Sequence, residues 1–171
     1  TSKLHNQKMK KKNLIIILLF ISVLGNSCAN YKPIFNTNGF KFYIEEQILK
    51  GDKKLGNKIY TKLYNISNSN KDENVQSISI IIQVGKSKFA TVKDRSGKIL
   101  EYKINLNTNI VVNDFLNGEK ILKKSFNYDY VYKVQEQYFE TLKLENKAIE
   151  NLIEKTYQNL LIEISENITT S

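Results

Sequence analysis

Cys28 is the only cysteine of the chain, and its thiol is a nucleophile that could be acylated. Basic residues 10–12 lead into the apolar run 14–24, and residues 25–27, which are small or polar, separate that run from Cys28. This order is typical of a secretory signal peptide. As a helix the run is about 16 Å long, too short for a hydrocarbon core of ~30 Å. We predict cleavage before Cys28 and attachment of a lipid to its sulfur through a thioether; the alternative is a plain secretory signal followed by a free cysteine.

The signal divides the chain into three parts. Met9 is the predicted initiator, and residues 1–27 are predicted to be a leader and a lipoprotein-type signal peptide. Residues 28–38, which hold the only proline, are predicted to be a tether, and residues 39–171 a single domain. Each buried acyl methylene contributes ~0.8 kcal/mol, so several chains on Cys28 would anchor the domain firmly to a membrane.

Arg95, the only arginine, and Lys98 form a second candidate site in the predicted turn Arg95-Ser96-Gly97-Lys98. Two cations at the tip between two strands could hold a phosphate or an anionic lipid headgroup. Each charge-assisted hydrogen bond contributes roughly 1.5–3 kcal/mol when it is partly buried. The alternative is that these charges are solvated and serve solubility. The guanidinium of Arg95 is a planar bidentate donor, and its presence in a chain whose other basic residues are almost all lysines favours the binding hypothesis.

The sequence lacks the residues on which most catalytic mechanisms depend. The single histidine, His5, precedes Met9, and the chain has no P-loop, no glycine-rich dinucleotide turn and no cysteine or histidine cluster. The pairs Glu45-Glu46 and Asp72-Glu73 are adjacent in sequence. Such neighbours point to opposite faces of a strand or are solvated in a loop. We therefore predict a protein that is not an enzyme and needs no cofactor or metal.

The charge of the body disfavours nucleic acid as a partner. The chain has 26 basic and 17 acidic residues, and five of the lysines precede the apolar run. The remaining 21 basic residues against 17 acidic ones make the body only mildly basic. The apolar fraction of 41% is enough to build a core.

Apolar periodicity predicts the elements that position these candidates. The fold class is α+β, with four mostly antiparallel strands and two helices packed on one face, in the order strand-helix-strand-strand-strand-helix. Asp52 is the predicted N-cap of the first helix, and Ile80–Ile82, apolar on both faces, predicts a central strand. Four strands are predicted, at residues 40–44, 77–84, 102–112 and 122–130, and the second of them is expected to continue towards residue 92. The first predicted helix holds Leu55, Ile59 and Leu63, and the second runs from Leu142 to Ile168.

Tyrosines are concentrated in residues 128–138, between the predicted last strand and last helix. Tyrosine is enriched at protein interfaces, so this stretch could contact another protein. Ordinary packing of a strand and a loop explains it equally well, and the sequence leaves both interpretations open.

Three segments carry a family resemblance. After Cys28 come an aromatic residue, a proline and an apolar pair, within residues 28–35; the basic turn leads into Glu101-Tyr102; and the amphipathic stretch 145–164 closes the chain. In this order and spacing, residues 28–168 resemble the LPS-assembly lipoprotein family, LptE. The resemblance implies a non-enzymatic protein that is lipid-anchored on the periplasmic side of the Gram-negative outer membrane.

The same resemblance implies partners and a binding role. Such proteins plug the barrel of the LPS-assembly protein LptD, assist its assembly and bind lipopolysaccharide (LPS) on its way to the surface. Arg95 stands at the place of a family turn residue implicated in LPS contact. We add Lys98 and Lys143 to the candidate LPS-binding residues from their charge and position. The alternatives are another envelope lipoprotein, such as a barrel-assembly or secretion accessory without LPS binding, and a small periplasmic enzyme.

Overall fold

The computed structural model describes residues 42–67 and 75–168, which belong to the unit Gly39–Ser171. In chain order the elements are β1 (Phe42–Gly51), α1 (Lys53–Tyr64), β2 (Gln76–Lys93), β3 (Ile99–Asp114), β4 (Lys120–Lys133) and α2 (Tyr138–Ile168). The signal peptide, Cys28, the tether and the pair Asp72-Glu73 lie outside the described residues. Within the described ranges no helix has the length and apolarity needed to cross a membrane.

The strands form one sheet in the order β1-β2-β3-β4. β1 runs parallel to β2, and the other two pairs are antiparallel. Because parallel neighbours need a crossover connection, α1 carries the chain from the end of β1 back to the start of β2. α1 packs on β1 and β2, α2 packs on β4 and β3, and the helices contact each other. The predicted α+β fold and its element order are confirmed.

Strict alternation in β2 and β3 builds the core. Over residues 78–84 of β2 and 104–112 of β3, side chains at even positions turn towards the helices and are almost fully buried, as expected for strands with one covered face. β2 has a neighbour on each side along Ile80–Ile82, so the predicted central strand is confirmed. The even-numbered buried residues are Ile78, Ile80, Ile82 and Val84 in β2, and Ile104, Leu106, Thr108, Ile110 and Val112 in β3.

β1 extends beyond its predicted end at Ile44 and reaches Gly51. Phe42 and Ile44 are buried, and the register with β2 then shifts between Ile44 and Glu46. Past this bulge the inward-facing parity changes, and Leu49 packs against the core. The sequence analysis ended this strand too early because the bulge breaks the alternation on which the prediction relied.

α1 forms as predicted. The side chain of Asp52 accepts a hydrogen bond from the Leu55 amide at 3.1 Å, which caps the helix N-terminus. Leu55, Ile59 and Leu63 lie one turn apart along the face that packs on the sheet, and all three are buried.

α2 buries one apolar stripe, as its amphipathic sequence predicts, and several of its glutamates pair with lysines of other elements. Glu150 and Glu154 pair with Lys58 and Lys62 of α1, the latter pair at 2.8 Å. Glu163 pairs with Lys124 of β4 at 2.6 Å. These glutamates flank the buried stripe, and lysines of neighbouring elements border it. The helical pattern alone does not show this placement, because the partners come from distant segments.

Gly51→Ala is expected to destabilise the fold by about 3 kcal/mol or more. Gly51 has φ +69°, and a Cβ there would collide with the Val84 carbonyl oxygen. Gly97→Ala is the matched control, because Gly97 has φ +87° but open space around a Cβ. Its cost is about 1–2 kcal/mol, from backbone strain alone. Urea denaturation of both variants measures the difference, and equal losses would contradict this account.

Candidate functional site at the basic turn

The predicted basic turn, residues 95–98, lies in the connection 94–98 between β2 and β3. One carboxylate oxygen of Asp94 accepts hydrogen bonds from the amides of Ser96 and Lys98, at 2.8 and 2.9 Å, and from the Ser96 hydroxyl at 2.7 Å. Gly97 supplies the predicted positive φ. Asp94 therefore fixes the backbone of the turn through its own side chain.

Asp94 leaves the two cations of the turn unpaired. The Ser96 hydroxyl does most to hold the pKa of Asp94 below its usual value; burial opposes this, and the amides of Lys98 and Ser96 and the nearby charge of Lys98 reinforce it. Arg95 and Lys98 are exposed. Neither side chain forms an ion pair or hydrogen bond with any residue in the described ranges. Both are thus available to an anion.

A cleft of about 340 Å³ opens beside this turn, between the end of the sheet that carries the turn and the start of α2. Its lining combines apolar and aromatic surface with charge. Lys98 belongs to both the turn and the cleft, whereas Arg95 lies outside the lining. The lining includes Lys88, Lys98, Tyr102, Val134, Glu136, Tyr138, Leu142 and Glu145.

A second lysine of the cleft, Lys88, is already paired. Its ammonium lies 2.6 Å from a carboxylate oxygen of Glu145 and 4.1 Å from the ring centroid of Tyr102. The same Glu145 oxygen accepts a hydrogen bond from the Tyr132 hydroxyl at 3.0 Å. The contacts join β2, β3, β4 and α2 and neutralise Lys88 locally. Of the two lysines that line the cleft, Lys98 is therefore the one without an ion pair in the described ranges, and the Glu136 carboxylate adds a negative charge to the same lining.

The pKa values of this network show that both charges are stabilised. Burial opposes the charge on Lys88, but hydrogen bonds to Glu145 and Tyr132 outweigh it and leave the pKa of Lys88 above its usual value. Burial likewise acts to raise the pKa of Glu145, and the hydrogen bonds from Lys88 and Tyr132 bring it below its usual value. Burial is the main cause that raises the pKa of Tyr132.

Glu145→Gln is expected to lower the free energy of unfolding by about 1–2 kcal/mol at neutral pH. The pKa of Glu145 is lowered from 4.5, so its contribution is present above that value. The contribution disappears as the pH falls through the folded-state pKa, and the variant and the parent then converge. Denaturation at a series of pH values measures this. Glu140→Gln, an exposed position on the same helix, is the control and should cost little. A pH-independent difference at Glu145 would refute the assignment.

The structure brings together only part of the predicted LPS-binding set. Arg95 and Lys98 share one turn, as predicted. Lys143 lies exposed on α2 with its ammonium 6.0 Å from the Phe139 ring centroid, and it does not line the cleft. The roles of all three residues in LPS binding stay predictions.

The tyrosine-rich stretch divides between packing and exposure. Residues 128–133 lie within β4 rather than after it, which corrects the predicted position. Tyr132 is buried, and Tyr128 packs partly against the core. Tyr138, the first residue of α2, is 76% exposed and lines the cleft. Packing therefore explains Tyr128 and Tyr132, and a contact of Tyr138 with another protein stays a prediction.

Sequence reasoning missed Asp94 and Lys88. The Asp-x-Ser-Gly order of residues 94–97 is a signal for a side-chain-stabilised turn and could have identified Asp94. No local signal marks Lys88, because its partner Glu145 is 57 residues away. Within the part of the chain that the structure describes, no group of three or more His, Cys, Asp or Glu could hold a metal ion. The site as built can bind a ligand that has both apolar and anionic parts.

The fold defined by these elements is shared with bacterial lipoproteins of known structure. Rare lipoprotein B of Shewanella oneidensis aligns with a TM-score of 0.50 and 14% identity, over 73% of this chain and 98% of that one. A lipoprotein of Caulobacter crescentus aligns with a TM-score of 0.55 and 11% identity, over 74% and 90% of the two chains.

Lipoprotein B of Nitrosomonas europaea, solved by NMR, is also similar, with a TM-score of 0.56 and 14% identity over 77% of this chain and 87% of that one. No protein-family model and no curated protein matches the sequence. At these identities the likeness shows a common fold.

Proposed function

We propose that the chain is an outer-membrane lipoprotein of LPS assembly. Acylated at Cys28 and held on the periplasmic side of the membrane, it fills the lumen of an LptD-type barrel, assists assembly of that barrel and binds LPS in transit. No bond is made or broken, so the protein acts through fit and charge and needs no cofactor. Three observations support this proposal: the signal-like leader, the fold shared with lipoproteins, and the basic turn.

The observation that carries the LPS role is the position of Lys98. Its side chain stands at the edge of a cleft lined by aromatic and aliphatic groups, in the same turn as the unpaired Arg95. Lipid A presents phosphates on an apolar body, and this combination of cations and apolar surface is complementary to it. The two cations would also compete with the divalent ions that make LPS aggregate.

The turn is pre-arranged for this role. The hydrogen bonds to Asp94 hold the backbone before any ligand arrives, so binding would order only the two side chains. Paired Lys88 contributes to the wall of the cleft, and its ammonium covers the Tyr102 ring. Lys143 would make at most a separate contact, because it lies outside the cleft.

Co-purification tests the proposed function. The full chain, tagged at its C-terminus, is isolated from outer membranes in mild detergent and probed for the barrel and for LPS. Recovery of both supports the proposal, with an unrelated tagged lipoprotein as the control. An acylated chain recovered with neither would favour another envelope lipoprotein. Hydrolase activity that survives Cys28→Ala would favour the periplasmic enzyme.

A further inference from the structure

The face of the sheet opposite the helices carries a block of small polar residues. The block consists of the odd-numbered positions of 83–87 in β2, 105–109 in β3 and 125–129 in β4, which the strand register places side by side in three rows of three. We call it the amide face, because four of its nine members are asparagines and one is a glutamine. All nine are exposed or half-buried, and Asp129 is the only charged residue among them.

The amide face departs from the residue preferences of strands. Its four asparagines, its aspartate and its glycine are all types that strands disfavour. The row beyond one end of the block pairs Ile81 with Val111, and the row beyond the other end contains Phe89 and Val131. Exposure to water explains polar side chains on this face, but it does not favour poor strand formers over threonine. A local departure of this kind is expected where a surface serves function rather than folding.

Gly85 leaves the backbone of β2 uncovered within the amide face. Its φ is not positive, and an added Cβ would meet only the Asn107 carbonyl oxygen, at 4.0 Å. Neither backbone conformation nor a close neighbour therefore requires a glycine at this position. Glycine in the interior of a strand often marks a site where a ligand approaches the backbone closely. The open space at Gly85 is such a site, beside the Asn107 side chain in the same row.

Hydrogen bonds between side chains order the amide face. The Asn105 amide nitrogen donates to the Asn127 oxygen and, at 2.8 Å, to a carboxylate oxygen of Asp129. The Asn109 amide nitrogen donates to the Asn107 oxygen at 3.3 Å. Among the described residues, the amide nitrogens of Asn107 and Asn127 have no acceptor. They are therefore available to a ligand, and the contacts of their oxygens reduce the entropy that binding would cost.

We propose that the amide face binds an uncharged stretch of a glycan. A sugar hydroxyl both donates and accepts hydrogen bonds, and the carboxamides of this face do the same. Asp129 can accept from hydroxyls but repels a phosphate, and Lys103, at 4.0 Å, partly offsets its charge. Phe89, 52% exposed in the adjoining row, offers apolar surface to the C–H face of a sugar ring.

This inference goes beyond the proposed function. The basic turn and the cleft were assigned to the phosphates and the apolar body of LPS, and neither offers a site to uncharged sugars. The amide face lies on β2, β3 and β4 alone, so its role does not depend on Cys28 or on the basic turn. A hydrated face of this kind is compatible with a seat in a barrel lumen. The sugars could belong to LPS or to a free glycan of the envelope, since both present the same hydroxyls.

Nuclear magnetic resonance of the side-chain amides tests the inference. The full chain, isotope-labelled on nitrogen and kept in a detergent without sugar groups, is titrated with maltoheptaose, with chitohexaose and with the oligosaccharide that mild acid releases from LPS. The amide signals of Asn107 and Asn127 should shift with at least one of the two uncharged probes. The signal of Asn113, on the same face of β3 but outside the block, should not. Affinity for an uncharged probe should be unchanged at high salt.

Two variants separate binding from folding. Gly85→Val covers the open backbone with a residue that strands favour, so it should weaken binding at least tenfold while thermal stability is kept or raised. Asn107→Thr removes the available amide from an exposed strand position and should weaken binding about five- to tenfold. Asn113→Thr is the matched control, because it makes the same change on the same face and should leave binding unchanged.

The contrary results are distinguishable from a failure of the proposed function. Absence of shifts with both uncharged probes overturns the inference, and so does equal weakening by Asn113→Thr. Amide signals that shift only when the barrel is added assign the face to a protein contact and overturn it as well. Arg95→Glu combined with Lys98→Glu should leave binding of the uncharged probe intact. If that variant also binds LPS like the parent, the basic turn loses its role and the amide face keeps its own.

Discussion

Cys28→Ala is expected to abolish palmitate incorporation and to release the protein from the membrane fraction. The expected effect is close to complete, because acyl chains contribute ~0.8 kcal/mol per buried methylene and several chains on one cysteine dominate the membrane affinity. The measurement is labelling with tagged palmitate, followed by fractionation of soluble and membrane material. The fold should be unaffected, since Cys28 lies outside the domain Gly39–Ser171.

Ser27→Ala is the matched control for this experiment. It changes the neighbouring small residue and keeps both the apolar run and the thiol, so acylation and membrane association should persist. Equal palmitate labelling of the parent and the Cys28→Ala variant would contradict the assignment of Cys28. Membrane association without any labelling would show that the chain is held by something other than an acyl group.

Arg95→Glu combined with Lys98→Glu weakens LPS binding by about 10- to 100-fold. Each exposed charge-assisted contact contributes about 1 kcal/mol, and reversal replaces attraction by repulsion. Binding of the full chain to purified LPS is measured at low and at moderate salt. Affinity of the parent should fall as salt rises, and the double variant should show a smaller salt dependence.

A matched pair of substitutions separates local contact from net charge. Lys120→Glu combined with Lys123→Glu changes the net charge equally at the other end of the sheet, where both lysines are exposed. This pair should reduce LPS binding far less. Lys143→Glu should also have a smaller effect than Lys98→Glu, because Lys143 does not line the cleft. Equal losses in both pairs would show that LPS responds to overall charge, and the basic turn would lose its assigned role.

The sequence predicted most elements because their apolar side chains follow one period without interruption. In β3, Ile104 and Leu106 alternate with polar residues, and this period of two requires a strand with one covered face. Leu55, Ile59 and Leu63 recur every four residues, and Asp52 provides a capping oxygen at the right distance. Each of these signals is local, so neither needs the tertiary structure.

β1 was predicted only in part because its stability does not come from a local period. After Ile44 the register shift interrupts the alternation, and the strand continues on hydrogen bonds to β2. Backbone pairing of this kind is insensitive to the side chains of Glu45 and Glu46. A parallel neighbour more than 30 residues later in the chain supplies it, as the pairing of Ile48 with Ile81 shows.

The sequence analysis predicted the turn of the candidate site and missed the cleft beside it. Arg95, Gly97 and Lys98 were recognisable because a turn is encoded by consecutive residues. The cleft exists because the start of α2 lies over the far end of the sheet, where Glu145 meets Lys88. A contact between residues so distant in sequence depends on how the elements pack, and a single sequence does not encode it in any local pattern.

The central claim is that the basic-turn end of the domain contacts LPS, and photo-crosslinking in intact cells tests it most directly. A photoreactive residue replaces Leu100, which follows the turn, or Ile162 on α2; both are 40% exposed. The account predicts an adduct with lipid A at position 100 and none at position 162. An acylated, barrel-associated chain that gives no LPS adduct at position 100, or equal adducts at both positions, would contradict it.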